Sequence, residues 1–208
     1  MTAEPAVKLK TATYEDLYTL PDNMVGEIID GELIASPRPS ARHTFAGSAL
    51  GGEILPPYQF GRGGPSGWII LDETEIMLGE HLLVPDLAGW KKERFPGLPE
   101  KNWIPVPPDW VCEILSPWTH RLDKTRKMPI YAEYGVSHLW LVDPANKNID
   151  VYRRASGTWA LAGAYFENDK MRAEPFEEIE IDLTNLWIES IDIPAALMTW
   201  RTSKASSR

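Results

Sequence analysis

The chain has 208 residues, 43% of them hydrophobic and 25% charged, and a formal net charge of −9 from 30 acids against 21 Lys and Arg. Such a length gives one large domain with a full core, and such a balance excludes a protein that coats nucleic acid with a broad basic surface. A single cysteine, Cys112, excludes an internal disulfide and a cysteine-rich zinc site.

The N-terminus lacks an apolar signal core, and no run reaches the ~18 apolar residues that cross a membrane. The expectation is a cytoplasmic protein with no membrane partner. Residues 1–10 and 196–208 read as disordered or flexible ends, and 11–195 as a single domain. Most of the nine tryptophans are expected in the core or an interface.

In chain order, Thr13-Tyr14-Glu15-Asp16 reads as a cap and an acidic first turn, opening a short helix that Pro21 ends. Val25 to Ser36 reads as a hairpin through the turn Asp30-Gly31. A second helix is expected from about Arg42 to Leu55, stopped by Pro56-Pro57. Trp68 to Leu78 and Leu82 to Trp90 read as two strands joined through Gly79-Glu80. Lys91 to Pro108, with five prolines, reads as a surface loop. Asp109 to Leu115 is apolar apart from its acids and suits a central strand buried on both faces. Leu122 to Tyr134 has helical spacing, with Pro129 as a kink or restart and Gly135 as its end. Ser137 to Asp143 is another apolar strand, Ile149 to Arg153 and Thr158 to Ala164 a hairpin, and Ile179 to Leu183 a half-exposed strand. The strand–helix–strand run from Asp109 to Asp143 allows a parallel crossover. The fold class expected is α/β, a mixed sheet flanked by helices with additional hairpins.

Two acids stand out. Asp86 follows Val84-Pro85, and Glu113 lies 113 − 86 = 27 residues later between Val111-Cys112 and Ile114-Leu115. An acid in an apolar strand costs free energy unless it is paired, hydrogen-bonded or bound to a metal. Two on adjacent strands make a carboxylate cluster of the kind that holds a hard cation. The alternatives are solvated strand ends, or partnership with Lys and Arg. The following helix offers Arg121, Lys124, Arg126 and Lys127, of which Arg121, Lys124 and Lys127 fall at i, i+3, i+6 and share a broad face; its plain reading is a solvated face. His43 at a helix start reads as a surface or capping residue, and Glu27 and Glu32, flanking the hairpin turn, as solvent-exposed. A nucleophilic role for Cys112 is the weaker alternative, because it points to the strand face opposite Glu113.

The segments Gly26-Glu-Ile-Ile-Asp-Gly-Glu-Leu-Ile34, Pro37-Arg-Pro-Ser-Ala-Arg-His43, Val84-Pro-Asp-Leu-Ala88, Pro108-Asp-Trp-Val-Cys-Glu-Ile-Leu-Ser-Pro-Trp-Thr119, and Asp123, Lys127, Tyr131, Tyr134-Gly-Val and Leu139-Trp-Leu-Val-Asp-Pro144 occur in an order that resembles the Uma2 family. That family is grouped with the PD-(D/E)XK restriction-endonuclease-like superfamily, and the resemblance covers about Thr11 to Leu186. It implies a Mg²⁺ (or Mn²⁺) nuclease acting on nucleic acid, with DNA the expected substrate and a homodimer the expected assembly. Asp86 and Glu113 match the metal-binding acids, with the carbonyl of Ile114 beside them. The superfamily's lysine two residues after the second acid is replaced by Leu115, so Lys127, and second Lys124, take the catalytic lysine's place. Glu32, His43 and Asp123 match supporting positions. The alternative is a nuclease-fold module that binds nucleic acid or protein without turnover.

Overall fold

The computed structural model describes residues 11–189 and 191. The expected N-terminal and C-terminal disordered segments lie outside them. The first helical turn, a 3-10 helix at Tyr14–Thr19, is closed by a capping box in which Thr13 and Asp16 satisfy each other. Strands β1 (Met24–Ile29) and β2 (Glu32–Pro37) form the expected hairpin. Asp30 and Gly31 both take positive φ (53° and 75°), the tight turn that matches strand twist. Helix α1 (Ala41–Ile54) starts at Ser40, whose hydroxyl accepts from the His43 N–H. A π-helical turn then carries it through Leu55–Gln59.

The two long strands expected next are in fact four: β3 (Trp68–Asp72), β4 (Glu75–Leu78), β5 (His81–Leu83) and β6 (Leu87–Lys91). Each apolar run breaks once. Glu73 takes a positive φ of 42°, and Pro85, which has no N–H for a ladder, interrupts the second run. The breaks lie side by side, with the Glu73 N–H donating to the Asp86 carbonyl at 3.2 Å. At these breaks the chain passes from one sheet to the other and back.

The loop that follows contains the short β7 (Trp103–Ile104), and then comes β8 (Trp110–Ile114), buried throughout. After it the chain is helical in three pieces: α2 (His120–Leu122), a π-helical turn (Asp123–Lys127) and α3 (Met128–Glu133). Pro129 sits in the first turn of α3, which makes it a restart. Gly135 ends the helix with φ 87°. Next come β9 (His138–Asp143), β10 (Asn148–Ala155) and β11 (Thr158–Phe166). The half-exposed strand expected at 179–183 shortens to β13 (Ile181–Asp182), paired with β12 (Lys170–Met171). Its last residue, Leu183, instead begins a 3-10 turn at Leu183–Leu186, opened by Asp182 accepting from the Thr184 N–H.

One sheet has the order β2-β1-β5-β4-β7 and the other β11-β10-β9-β8-β6-β3. In the six-stranded sheet only β8 and β9 run parallel, which is the expected crossover, so the sheet is mixed. Both its faces are covered. On one face Trp110, Cys112 and Ile114 of β8 pack with Leu50 and Ile54 of α1 and with Phe176. On the other, Val111, Leu139 and Leu141 pack with Ile29, Ile76, Leu83 and the α3 residues Ile130 and Tyr131. Glu113 shares the Val111 face, between the two sheets and α3. The fold thus buries an acid where a core residue would ordinarily stand.

Candidate active site

Asp86 immediately precedes β6, whose Leu87 is opposite Cys112 of β8. Asp86 and Glu113 therefore sit side by side at one end of adjacent strands. The Asp86 carboxylate is fixed from two directions: Oδ2 accepts from the Ile114 N–H at 2.6 Å, and Oδ1 lies 3.2 Å from His43 Nε2. Glu113 is 2% exposed, and its Oε1 accepts from the Tyr131 hydroxyl at 2.7 Å and from Lys127 Nζ at 2.8 Å. Lys127, itself buried, also lies 2.9 Å from Glu27 Oε1 and 3.6 Å from Asp123 Oδ1. Glu27 Oε1 in turn accepts from the Val84 N–H at 2.8 Å, which ties β1 to the segment leading into Asp86. Glu27, His43, Asp86, Glu113, Asp123 and Lys127 line one cavity of about 630 Å³.

The site thus gathers five of the seven expected residues, Asp86, Glu113, Asp123 and Lys127 with His43 at its wall. It does not gather the other two. Lys124 is exposed and lines a separate hollow with Met128 and Trp159, because the π-helical turn widens the spacing and leaves only Asp123 and Lys127 facing inward. The broad basic face expected for Arg121, Lys124 and Lys127 does not exist: Arg121 and Lys124 are exposed, and Lys127 is buried. Glu32 lies outside the cavity and pairs at 2.7 Å with Arg126, which also donates to Asp30 Oδ2 and the Ile29 carbonyl. That pairing anchors the helix carrying Lys127 to the hairpin carrying Glu27.

Two participants escaped the sequence reading. Glu27 is buried rather than solvent-exposed, and Tyr131 holds Glu113. Glu27 carried the same signal as Glu113, an acid flanked by apolar residues in a strand (Val25-Gly26-Glu27-Ile28-Ile29). Its partner lay 100 positions away and gave no local cue.

Burial pushes the Glu113 carboxyl well above the ordinary carboxylate range; Lys127 opposes the shift, while Asp123, Asp86 and Glu27 add to it. Burial works to discharge Lys127, but Glu113, Glu27 and Asp123 outweigh it and hold the ammonium well above its usual value. The two directions agree, since several acids share one ammonium. For His43, burial again opposes the charge, and hydrogen bonding to Asp86 with its negative charge reverses the outcome, raising the pKa. Cys112 is fully buried on the other face of β8, and burial holds its thiol well above the usual range, the reverse of what a nucleophile needs.

Asp123 is raised from 3.8 to about 6, chiefly by burial. The folded chain therefore binds that proton more tightly than the unfolded chain, and stability falls as pH rises from about 4 to about 6. Asp123→Asn should flatten that part of a stability–pH curve measured by urea unfolding; an unchanged slope would assign it to other groups.

The Uma2 family model, described as "Putative restriction endonuclease", matches residues 11–184. The chain belongs to the Uma2 family. No curated protein matches it. Among solved structures it is similar to one entitled "Crystal structure of a putative nuclease belonging to DUF820 from Anabaena variabilis ATCC 29413 at 1.96 A resolution". That likeness has a TM-score of 0.63 at 22% identity, covering 84% of this chain and 97% of the other. It establishes the shared nuclease-like fold. No helix of the described residues is long and apolar enough to cross a membrane.

Whether this Uma2 site suits a divalent cation can be judged from its donors. The acids that line the cavity, Glu27, Glu73, Asp86, Glu113 and Asp123, present only oxygen, as hard cations require. They outnumber the one ammonium buried among them, that of Lys127. Among the described residues no group of three or more His, Cys, Asp or Glu side chains is placed to hold a metal ion. Mg²⁺ needs no such group, since it keeps several waters and takes one or two carboxylates. The donors fit an open, two-carboxylate site.

Proposed function

We propose that this Uma2 protein is a metal-dependent nuclease that hydrolyses phosphodiester bonds in nucleic acid. The observation that carries this reading is the convergence of Asp86, Glu113 and Lys127 on one cavity, with Lys127 Nζ 2.8 Å from Glu113. Asp86 and Glu113 would hold Mg²⁺ or Mn²⁺. Bound there, the metal supplies an acidified water and a Lewis acid for the phosphate.

The chain's own residues supply the rest. The Ile114 N–H and His43 set the Asp86 carboxylate; Tyr131 and Lys127 set that of Glu113. Lys127 takes over the duty that Leu115 cannot perform, offering a fixed positive charge to the phosphate as negative charge develops on it. Its rigid seat among carboxylates means that little reorganisation is needed at the moment of reaction. Glu27 and Asp123 keep the ammonium charged, and Glu32, through Arg126, positions the helix that carries it.

Purified protein titrated with Mg²⁺ or Mn²⁺ should cleave plasmid or single-stranded DNA, with chelator abolishing the activity. Asp86→Ala should lower the rate at least about a hundred-fold, the scale of losing an essential electrostatic group. Metal-dependent cleavage that persists in both Asp86→Ala and Glu113→Gln would remove the assignment.

A further inference from the structure

Of the tryptophans described, Trp118 alone is exposed, at 79%, and it stands on the wall of the cavity that holds Asp86 and Glu113. It is not on a floppy segment. The turn that carries it is closed by the Thr119 N–H donating to Ser116 Oγ at 3.1 Å, by a 3.0 Å contact between the Ser116 and Thr119 hydroxyls, and by the His120 N–H donating to the Ser116 carbonyl at 3.0 Å. The Asp123 N–H then ties Thr119 to the π-helical turn. A large indole is thereby held in water beside the candidate site.

Two arginines also line that cavity, Arg38 and Arg42. Arg38 is exposed, and its Nε and Nη2 donate to the Asp22 carbonyl at 3.3 and 3.2 Å, a contact that fixes the guanidinium without cancelling its charge. A neighbouring hollow of about 610 Å³ shares Val25, Arg38, Glu73 and Val84 with this one, but it lacks the Asp86, Glu113 and Lys127 cluster. Arginine charge, an exposed indole and the Asp86, Glu113 and Lys127 cluster coincide in the Trp118 cavity.

We propose that Trp118 is a base-stacking ledge and that the cavity takes single-stranded nucleic acid, or a strand end frayed from a duplex. Three observations favour a single strand over a duplex. Glu113 is 2% exposed at the cavity floor, so a phosphodiester must descend to it, which a flexible strand does and a stiff double helix resists. Base faces are free to stack on an indole only when they are not stacked on each other. The net charge of −9 gives no broad basic surface for a duplex backbone, whereas stacking needs little positive charge. The inference rests on the phosphodiesterase reading of the same cavity.

The test measures binding in chelator, so that no cleavage is needed, using fluorescently labelled oligothymidylate of about ten nucleotides, its RNA counterpart and a duplex of equal length. Wild-type protein should prefer both single strands to the duplex, and the two arms show whether deoxyribose or ribose is favoured. Trp118→Ala should weaken single-strand binding about ten-fold, Trp118→Phe should restore most of it, and an abasic oligonucleotide should bind wild type and Trp118→Ala alike. Because Trp118 is exposed, the melting temperature should not move.

Unchanged single-strand affinity in Trp118→Ala, or a duplex bound as tightly as a single strand, overturns the proposal. So does a Trp118→Ala change that converts a dimer to a monomer on size exclusion, which would make the indole a subunit contact. The two readings fail separately. Metal-dependent cleavage indifferent to Trp118 keeps the nuclease and removes the ledge; Trp118-dependent binding without any metal-dependent cleavage keeps the ledge and removes the nuclease.

Discussion

Replacing Lys127 by methionine is expected to lower the unfolding free energy by about 3–5 kcal/mol, the cost of leaving buried charge without its partner. The substitution fills similar volume, so the loss is electrostatic. Glu113, Glu27 and Asp123 lose the ammonium they share at 2.8, 2.9 and 3.6 Å. The signature lies in the pH dependence. Buried acids without a cation bind protons more tightly in the folded chain than in the unfolded one, so the deficit should be largest near neutral pH and shrink as pH falls through the range where Asp123, at about 6 in the intact protein, takes its proton. Urea unfolding of both proteins near neutrality and near pH 4 checks this. A deficit that does not change with pH would mean that lost packing, rather than unpaired charge, is responsible. Under the proposed function the same variant should also lose cleavage, since nothing else in the described cavity replaces a fixed cation at Glu113.

The opposite separation is expected for Glu113→Gln. Glu113 is ionised only against the pull of burial, which raises its pKa. A neutral isostere removes that penalty. Lys127 keeps Glu27 at 2.9 Å, and the amide oxygen still accepts from Tyr131. Stability at neutral pH should stay within about 1 kcal/mol of wild type or rise, as when buried charges are replaced by neutral groups of similar shape. Metal-dependent cleavage should fall at least about a hundred-fold. A residue that costs the fold stability and supplies the chemistry fits the general opposition between stability and function. Melting temperature and cleavage rate measured on one preparation would decide the point: a large loss of stability would make Glu113 structural first.

The parts of the site legible in the sequence were those whose signal is local. Asp86 and Glu113 each interrupt an apolar strand, and burial of β8 on both faces bears out why an acid there needs a partner. Lys127 emerged from the family's motif order, since the helical periodicity put it on a face with Arg121 and Lys124 that the π-helical turn dissolves. Glu27 was missed because its neighbour Val84 arrives through β1–β5 pairing, where Ile28 lies opposite Leu82, a contact of long sequence separation. The splitting of two apolar runs into four strands was hidden for a related reason. Composition stays apolar across each break, and only the backbone at Glu73 and the missing N–H of Pro85 divert the chain between sheets.

That π-helical turn has a consequence for anyone who would transplant the helix or shorten it. One extra residue within Asp123–Lys127 lets a single turn look two ways: Asp123 and Lys127 face the acids, while Arg126 reaches the hairpin. Trimmed by one residue to an even winding, the segment would have to surrender one partnership. Either the ammonium would swing off the floor of the cavity, or the hairpin would lose its fastening and Ile130 and Tyr131 their place in the core. Loop grafts and chimaeras between family members should therefore carry this stretch whole, with the hairpin that grips it, as one unit of inheritance.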